Sequence, residues 1–184
     1  MGMVAGIHSR DKGRMFKGNQ LYDPESPAHA NEQGISMVVQ ELGLVDGLTV
    51  AENIFLGKTE QFAQRGVINL RKMRAAAEEA FAAWGITPVP LDALARSLTV
   101  EEKKLVELVR ALSVDPDVLI LDEITAAFSH NNRALLYDLL VKLRDQGKLI
   151  LFVSHNLPEI LELCDRITVL KDGEKVTTIA AEGA

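Results

Sequence analysis

Two carboxylates close one apolar run of this chain and a Ser-His pair closes another. Val118 to Glu123 reads V-L-I-L-D-E, and Leu149 to His155 reads L-I-L-F-V-S-H. These residue types suit nucleotide hydrolysis. An aspartate at a strand end can hold Mg²⁺ through its hydration shell, a neighbouring glutamate can orient or deprotonate a water, and a histidine can touch a terminal phosphate. Asp122, Glu123 and His155 are therefore the candidate reactive groups. Each feature alone has a plainer reading, because Asp-Glu after a strand commonly caps a helix and a histidine beside a serine is usually a hydrogen-bonded loop residue. The two together, in this order, are far more specific.

The elements that must position these groups can be read from the same stretch. Each apolar run has the length of a strand buried on both faces. Between them, Leu135, Leu136, Leu139, Leu140 and Leu143 recur with helical period until Gly147, so the segment predicts a parallel β-α-β unit. Polar groups at the carboxyl ends of both strands then meet at the edge where open α/β sheets bind ligands. Upstream, Gly13 to Lys17 and Ile35 to Val39 read as short extended pieces, the second ending at Gln40, with Pro24, Ser26 and Pro27 between them. Thr49-Val-Ala-Glu52 and Thr99-Val-Glu-Glu102 both match the capping box, which predicts helices starting near Val50 and Val100.

Arg71 to Trp84 places Met73, Ala76, Ala77, Ala80, Phe81 and Trp84 on one helical face, with Gly85 as its stop. This stripe is expected to be core. Pro88 and Pro90 stiffen the entry into Leu91 to Leu98, and the helix from Val100 turns Leu105, Leu108, Val109 and Leu112 inward. After His155, Asn156-Leu-Pro-Glu159 opens another short helix, and Asp172-Gly173 predicts a hairpin between Arg166–Lys171 and Glu174–Thr178.

At 184 residues with 47% hydrophobic content, the chain is expected to form one domain, with room for a subdomain. A net charge of −6 without a long Lys/Arg cluster argues against nucleic acid as a partner. No stretch reaches the roughly eighteen apolar residues of a membrane span, and the first residues lack a signal-peptide core. The single cysteine, Cys164, excludes an internal disulfide and suits a reducing cytoplasm, where buried packing is its expected role.

Taken in order, these pieces resemble the ATP-binding cassette of ABC transporters, and most closely the N-terminal cassette of tandem ATPases that import monosaccharides. The resemblance covers residues 3 to 178. It is carried by Gly34 to Leu42, Leu48-Thr-Val-Ala-Glu-Asn-Ile-Phe-Leu-Gly57, the Asp-Glu strand and Cys164-Asp-Arg-Ile-Thr-Val-Leu-Lys-Asp-Gly173. It implies a P-loop NTPase-like α/β fold with a mostly parallel sheet and a helical subdomain. Residues 1–47 would be core ending in the Q-loop, 48–112 the helical subdomain, and 113–184 the remaining core. It further implies Gln40 as the Q-loop glutamine on Mg²⁺, Asp122 as the Walker B aspartate on the metal, Glu123 as the catalytic glutamate, His155 as the switch histidine, and Thr99 as the hydroxyl that meets ATP. The partners implied are a transmembrane permease subunit, a second cassette and, indirectly, a sugar-binding protein. The location implied is cytoplasmic, on the inner face of the cell membrane.

The departures carry expectations of their own. G-x-x-x-x-G-K-[ST], whose amides and lysine cradle phosphates, does not occur in these residues. Gly57-Lys58-Thr59 resembles its tail, but Glu52 stands where the first glycine belongs and the segment follows a helix, so it reads as a surface turn. Met3-Val-Ala-Gly-Ile-His8 reads like the end of the helix that follows the phosphate loop. The sequence is thus expected to be truncated at its N-terminus, and to stop where a tandem ATPase continues into a linker and second cassette. Glu101 and Glu102 replace small and neutral signature residues, which favours a better-capped helix and a poorer phosphate site. Ile124 stands for the usual proline after Asp-Glu, a tolerable change. Ala126-Ala-Phe-Ser129 replaces a typical D-loop ending, which puts cross-dimer signalling in question.

Two readings compete: an ATPase subunit of a sugar importer, whose 184 residues alone hydrolyse ATP negligibly, and a non-enzymatic module docking on a membrane subunit or a complete cassette. A DNA-maintenance ATPase shares such motifs, but the acidic balance and Ala51-Glu-Asn-Ile-Phe-Leu56 argue against it. Strand edges left open by the missing segment predict poor solubility.

Overall fold

The computed structural model describes residues 1–39, 43–64 and 66–181. Its first turn closes with Ile7 N–H on Gly2 O and Gly6 N–H on Met3 O, with Gly6 at φ +70°. That is the Schellman geometry of a helix end, in keeping with the reading of Met3 to His8.

An antiparallel hairpin follows, β1 (Met15–Lys17) with β2 (Gln20–Tyr22), and then α1 (Pro27–Glu32) and β3 (Ile35–Val38). The sequence reading missed α1, whose signal is Ser26 as N-cap with Pro27 at the first helical position. Next come α2 (Val50–Ile54), a small hairpin of β4 (Ala63–Gln64) and β5 (Val67–Ile68), α3 (Leu70–Ala83) and α4 (Val100–Leu112). The predicted capping boxes open α2 and α4: Thr49 accepts from Glu52 N–H, Thr99 accepts from Glu102 N–H, and each glutamate bonds back to the N-cap amide. Gly57 has φ +79° and lies in the turn after α2, so Gly57-Lys58-Thr59 is the surface turn expected of it.

The rest of the chain carries the β-α-β unit. β6 (Val118–Asp122) leads through a 3₁₀ turn at Ile124–Ala127 into α5 (His130–Asp145) and back into β7 (Leu149–Val153). A short α6 (Leu157–Leu163) precedes the hairpin of β8 (Arg166–Lys171) and β9 (Glu174–Ala180), which turns through Asp172 (φ +52°) and Gly173 (φ +82°) as predicted.

The core sheet has strand order β3-β6-β7, all parallel, with Val38 opposite Leu121 and Asp122 opposite Val153. One apolar cluster runs from Val38 through Val50, Ile54, Met73, Phe81, Leu108 and Leu112 to Leu121, Leu136 and Leu143. The helical stripes read from the sequence are its bulk.

One expectation needs correction. β6 is buried on both faces, but β7 is not: its five residues range from exposed to half-buried, with Leu149 55% exposed. Among the described residues β7 pairs only with β6, and its other edge faces a groove of about 800 Å³ that is also lined by Arg166, Ile167, Thr168 and Leu170 of β8. Apolar composition specified a strand, whereas burial depends on a neighbour on its far side. Cys164 lines the same groove half-buried, and burial, reinforced by Asp165, pushes its thiol pKa up.

Candidate functional site

Asp122 is the last residue of β6, and Ser154-His155 follow the last residue of β7. Because Asp122 sits in register with Val153, the two strand ends deliver their polar residues side by side. Glu123 takes a left-handed conformation (φ +50°) and donates its N–H to Val153 O at 3.0 Å. A non-glycine residue held there carries backbone strain. The turn re-aims the Glu123 side chain off the strand axis and across to the next strand, where its Oε1 lies 3.1 Å from His155 Nδ1. No sequence signal announced that conformation.

The exposures of the pair differ: the His155 side chain is 77% exposed and that of Glu123 29%. A carboxylate only accepts, so the imidazole donates from Nδ1, which leaves Nε2 as the acceptor of the neutral ring. Behind the pair lies a cavity of about 80 Å³, lined by Glu123, Thr125, Arg133, Ser154, His155 and Glu159 among others. It is roomy enough for water, and its lining is polar enough to hold it.

The other residues expected at the site fall elsewhere. Gln40 lies outside the described residues, whose nearest neighbours in sequence are Val39 and Gly43. Those two are held firmly: Lys104 Nζ donates to Val39 O at 2.6 Å, Glu107 accepts the Gly43 N–H, and Arg110 donates to Gly43 O at 2.9 Å. Thr99 stands at the N-terminus of α4, and its hydroxyl is engaged by Glu102 Oε2 at 2.9 Å. It does not line the Glu123–His155 cavity.

Glu101 crosses to the start of α5, taking the Ser129 N–H and the Asn132 amide at 2.7 Å each. Hydrogen bonds from Ser129 first, then Asn132, hold its carboxyl below the usual range. This contact spans two elements and escaped the sequence reading. The start of α5 thus receives a carboxylate from the chain itself, an interaction that helix N-termini favour.

Among the described residues, no group of three or more His, Cys, Asp or Glu side chains is arranged to hold a metal ion. One strand-end carboxylate does suit Mg²⁺, which keeps much of its hydration and commonly binds through one or two carboxylates plus substrate phosphates. The donor set fits metal brought with a nucleotide and does not fit a dedicated protein cage. Among the described residues, no helix is long and apolar enough to cross a membrane.

A parallel α/β core with Asp-Glu and His at adjacent strand ends is the layout of a nucleoside-triphosphatase cassette. The family described as ABC transporter matches residues 1–126, and the chain belongs to that family. Among curated relatives, the ribose import ATP-binding protein RbsA of Rhodococcus jostii is 38% identical over 181 residues, covering 98% of this chain and 36% of the relative. The RbsA protein of Bacillus subtilis is 36% identical over 179 residues, covering 97% and 36%. The chain therefore spans about a third of the length of these relatives. Of the solved structures, the dimeric ATP-binding cassette MJ0796 bound to ADP and Pi superposes with a TM-score of 0.82 at 22% identity, covering 100% of this chain and 79% of that one. A second cassette, MJ1267 in its ADP conformation, gives 0.75 at 21% identity, covering 97% and 73%. At these identities the structures establish the fold, an ABC-type α/β cassette.

Proposed function

We propose that this chain provides the hydrolytic part of the ATP-binding subunit of an ABC-type monosaccharide importer. The observation that carries the reading is the 3.1 Å contact between Glu123 and His155 at the carboxyl edge of two adjacent parallel strands. The names of the RbsA relatives support the sugar-import role.

In this reading Glu123 orients the attacking water and takes its proton, using the cavity behind it as the reservoir. His155, anchored through Nδ1, presents Nε2 to the terminal phosphoryl group. Asp122 supplies the carboxylate for hydrated Mg²⁺, which would neutralise phosphate charge when bound. Gln40 is proposed as a further metal contact and link to the permease, and Thr99 as the hydroxyl facing nucleotide held by a second cassette. We take 1–47 and 113–184 as core and 48–112 as the helical subdomain that meets the transmembrane subunit. The sugar-binding protein acts only through that subunit, and the working location is the cytoplasmic face of the membrane.

The test is ATP turnover by the membrane assembly containing this chain, compared with the same assembly carrying Glu123→Gln. Loss of a positioned base is expected to lower turnover about 10²–10⁴-fold. Unchanged turnover refutes the assignment. These 184 residues alone are expected to hydrolyse ATP negligibly, since no phosphate-cradling G-x-x-x-x-G-K-[ST] lies within them.

A second reading, a docking module without catalysis, is favoured by one observation. Glu101 and Glu102 already occupy the helix N-termini where phosphate would otherwise be drawn. Stable capture of this chain by a complete cassette, with turnover unaffected by Glu123→Gln, would support it.

A further inference from the structure

Glu159 lies in the first turn of α6 and is 5% exposed, a position at which a carboxylate is costly unless donors surround it. They do. Its Oε2 accepts from Thr125 Oγ1 at 2.9 Å and from Ser154 Oγ at 3.1 Å. Its Oε1 lies 4.0 Å from the Arg133 guanidinium, and Tyr137 stands near enough for its pKa to respond to the same carboxylate. Burial first, and then Glu159, push Tyr137 up to about 12, so the phenol remains a donor across the physiological range.

The origin of these partners is informative. Thr125 lies two residues after Glu123, and Ser154 directly precedes His155. Ser154 Oγ also accepts the Asn156 N–H at 3.0 Å, fixing the turn that carries the histidine. One buried carboxylate therefore ties together the two loops whose tips bear Glu123 and His155. Arg133 and Tyr137, one helical turn apart on α5, stand beside that carboxylate.

We propose that Glu159 is a positioning residue: it clamps the segment 123–125 to the segment 154–156 and so maintains the Glu123–His155 contact. This rests on the reading of that pair given above. Glu159 acts through Thr125 and Ser154.

The experiment uses the full 184-residue chain with ¹⁵N-labelled histidine, reading the His155 ring by long-range ¹H–¹⁵N spectra at a pH where the imidazole is neutral. His155→Gln assigns the signal among the four histidines. The wild type is expected to show the Nδ1–H tautomer, because Nδ1 donates to Glu123. Glu159→Gln keeps an oxygen that accepts from both hydroxyls and should retain that signature. Glu159→Ala removes it and should cut the Nδ1–H fraction roughly two-fold or more. A merely structural role would lower the melting temperature of Glu159→Ala and leave the tautomer untouched, which would overturn the proposal. Should Glu159→Ala fail to fold, Thr125→Val and Ser154→Ala each remove one tether, and an unaltered tautomer in both overturns it equally. Glu123→Ala separates the two levels: if the wild-type ring has no Nδ1–H preference and Glu123→Ala changes nothing, the pair itself is at fault, not Glu159.

Discussion

Replacing Glu107 by alanine should be among the most damaging single changes in the molecule, although periodicity alone would place this residue outside the apolar face of α4. Glu107 and Lys104 are 2% and 4% exposed, with Nζ and Oε2 at 2.8 Å. Glu107→Ala leaves a buried ammonium whose only remaining partner among the described residues is Val39 O, and stranding one member of a buried ion pair costs about 3–5 kcal/mol. The Gly43 N–H also loses its acceptor, but Gly43 is exposed, so water replaces that bond. Against a total stability of roughly 5–15 kcal/mol, the loss is a large fraction. The double variant Lys104→Met/Glu107→Leu removes both charges while keeping volume. It should lie within about 1–2 kcal/mol of wild type, because apolar replacement of a buried pair is often near neutral. Asp92→Ala is the control: it breaks the Arg74–Asp92 pair, 59% and 72% exposed, and should cost under about 1 kcal/mol. Urea unfolding followed by the fluorescence of Trp84, which lies under the Lys142 ammonium at 5.5 Å, measures all three. A Glu107→Ala cost no larger than that of Asp92→Ala, or a double variant as damaged as the single, would refute the reasoning.

Three further outcomes are expected. Thr99→Ala removes the acceptor for the Glu102 N–H and should cost about 1 kcal/mol, lowering the melting temperature by roughly 2–4 °C. Glu101, held below its ordinary 4.5 by Ser129 and Asn132, contributes stability that is present above that value and lost as pH falls through its lowered folded value. The difference in melting temperature between wild type and Glu101→Gln should therefore shrink as the pH is taken from about 6 to about 3, and a constant difference would contradict the assignment. Finally, the open edge of β7 should drive self-association, which Leu149→Lys should reduce in light scattering; a wild-type chain that is already a monodisperse, cooperatively melting monomer would count against that account.

What the sequence disclosed was mostly local. The two capping boxes, the Asp172-Gly173 turn and the crossover helix each depend on residues a few positions apart, and all three are in the structure as read. The meeting of Glu123 and His155 was also legible, because two apolar runs joined by a crossover helix predict a parallel pair whose carboxyl ends lie side by side, as β6 and β7 do. Features that depend on distant partners stayed hidden. Glu101 reaches Ser129, Glu107 reaches Gly43, and Glu159 reaches Thr125, and no periodicity registers such contacts. Nothing in the sequence marked Lys104, Glu107 and Glu159 as buried, because residue type alone says nothing about the donors gathered around them. The half-exposure of β7 escaped for the opposite reason: its composition promised a neighbour on each side.

The hairpin of β8 and β9 pairs with itself from Arg166–Ala180 to Lys171–Glu174 and, among the described residues, shares no strand pairing with the β3-β6-β7 sheet. Protection against hydrogen exchange should consequently be tiered. Amides of β6, flanked on both sides and buried, open only with the molecule as a whole, whereas those of β8 and β9 exchange through a separate, cheaper opening that leaves the sheet intact. The C-terminal hairpin would also detach first under a stretching force applied at the chain ends, an early step at low load before the parallel strands yield.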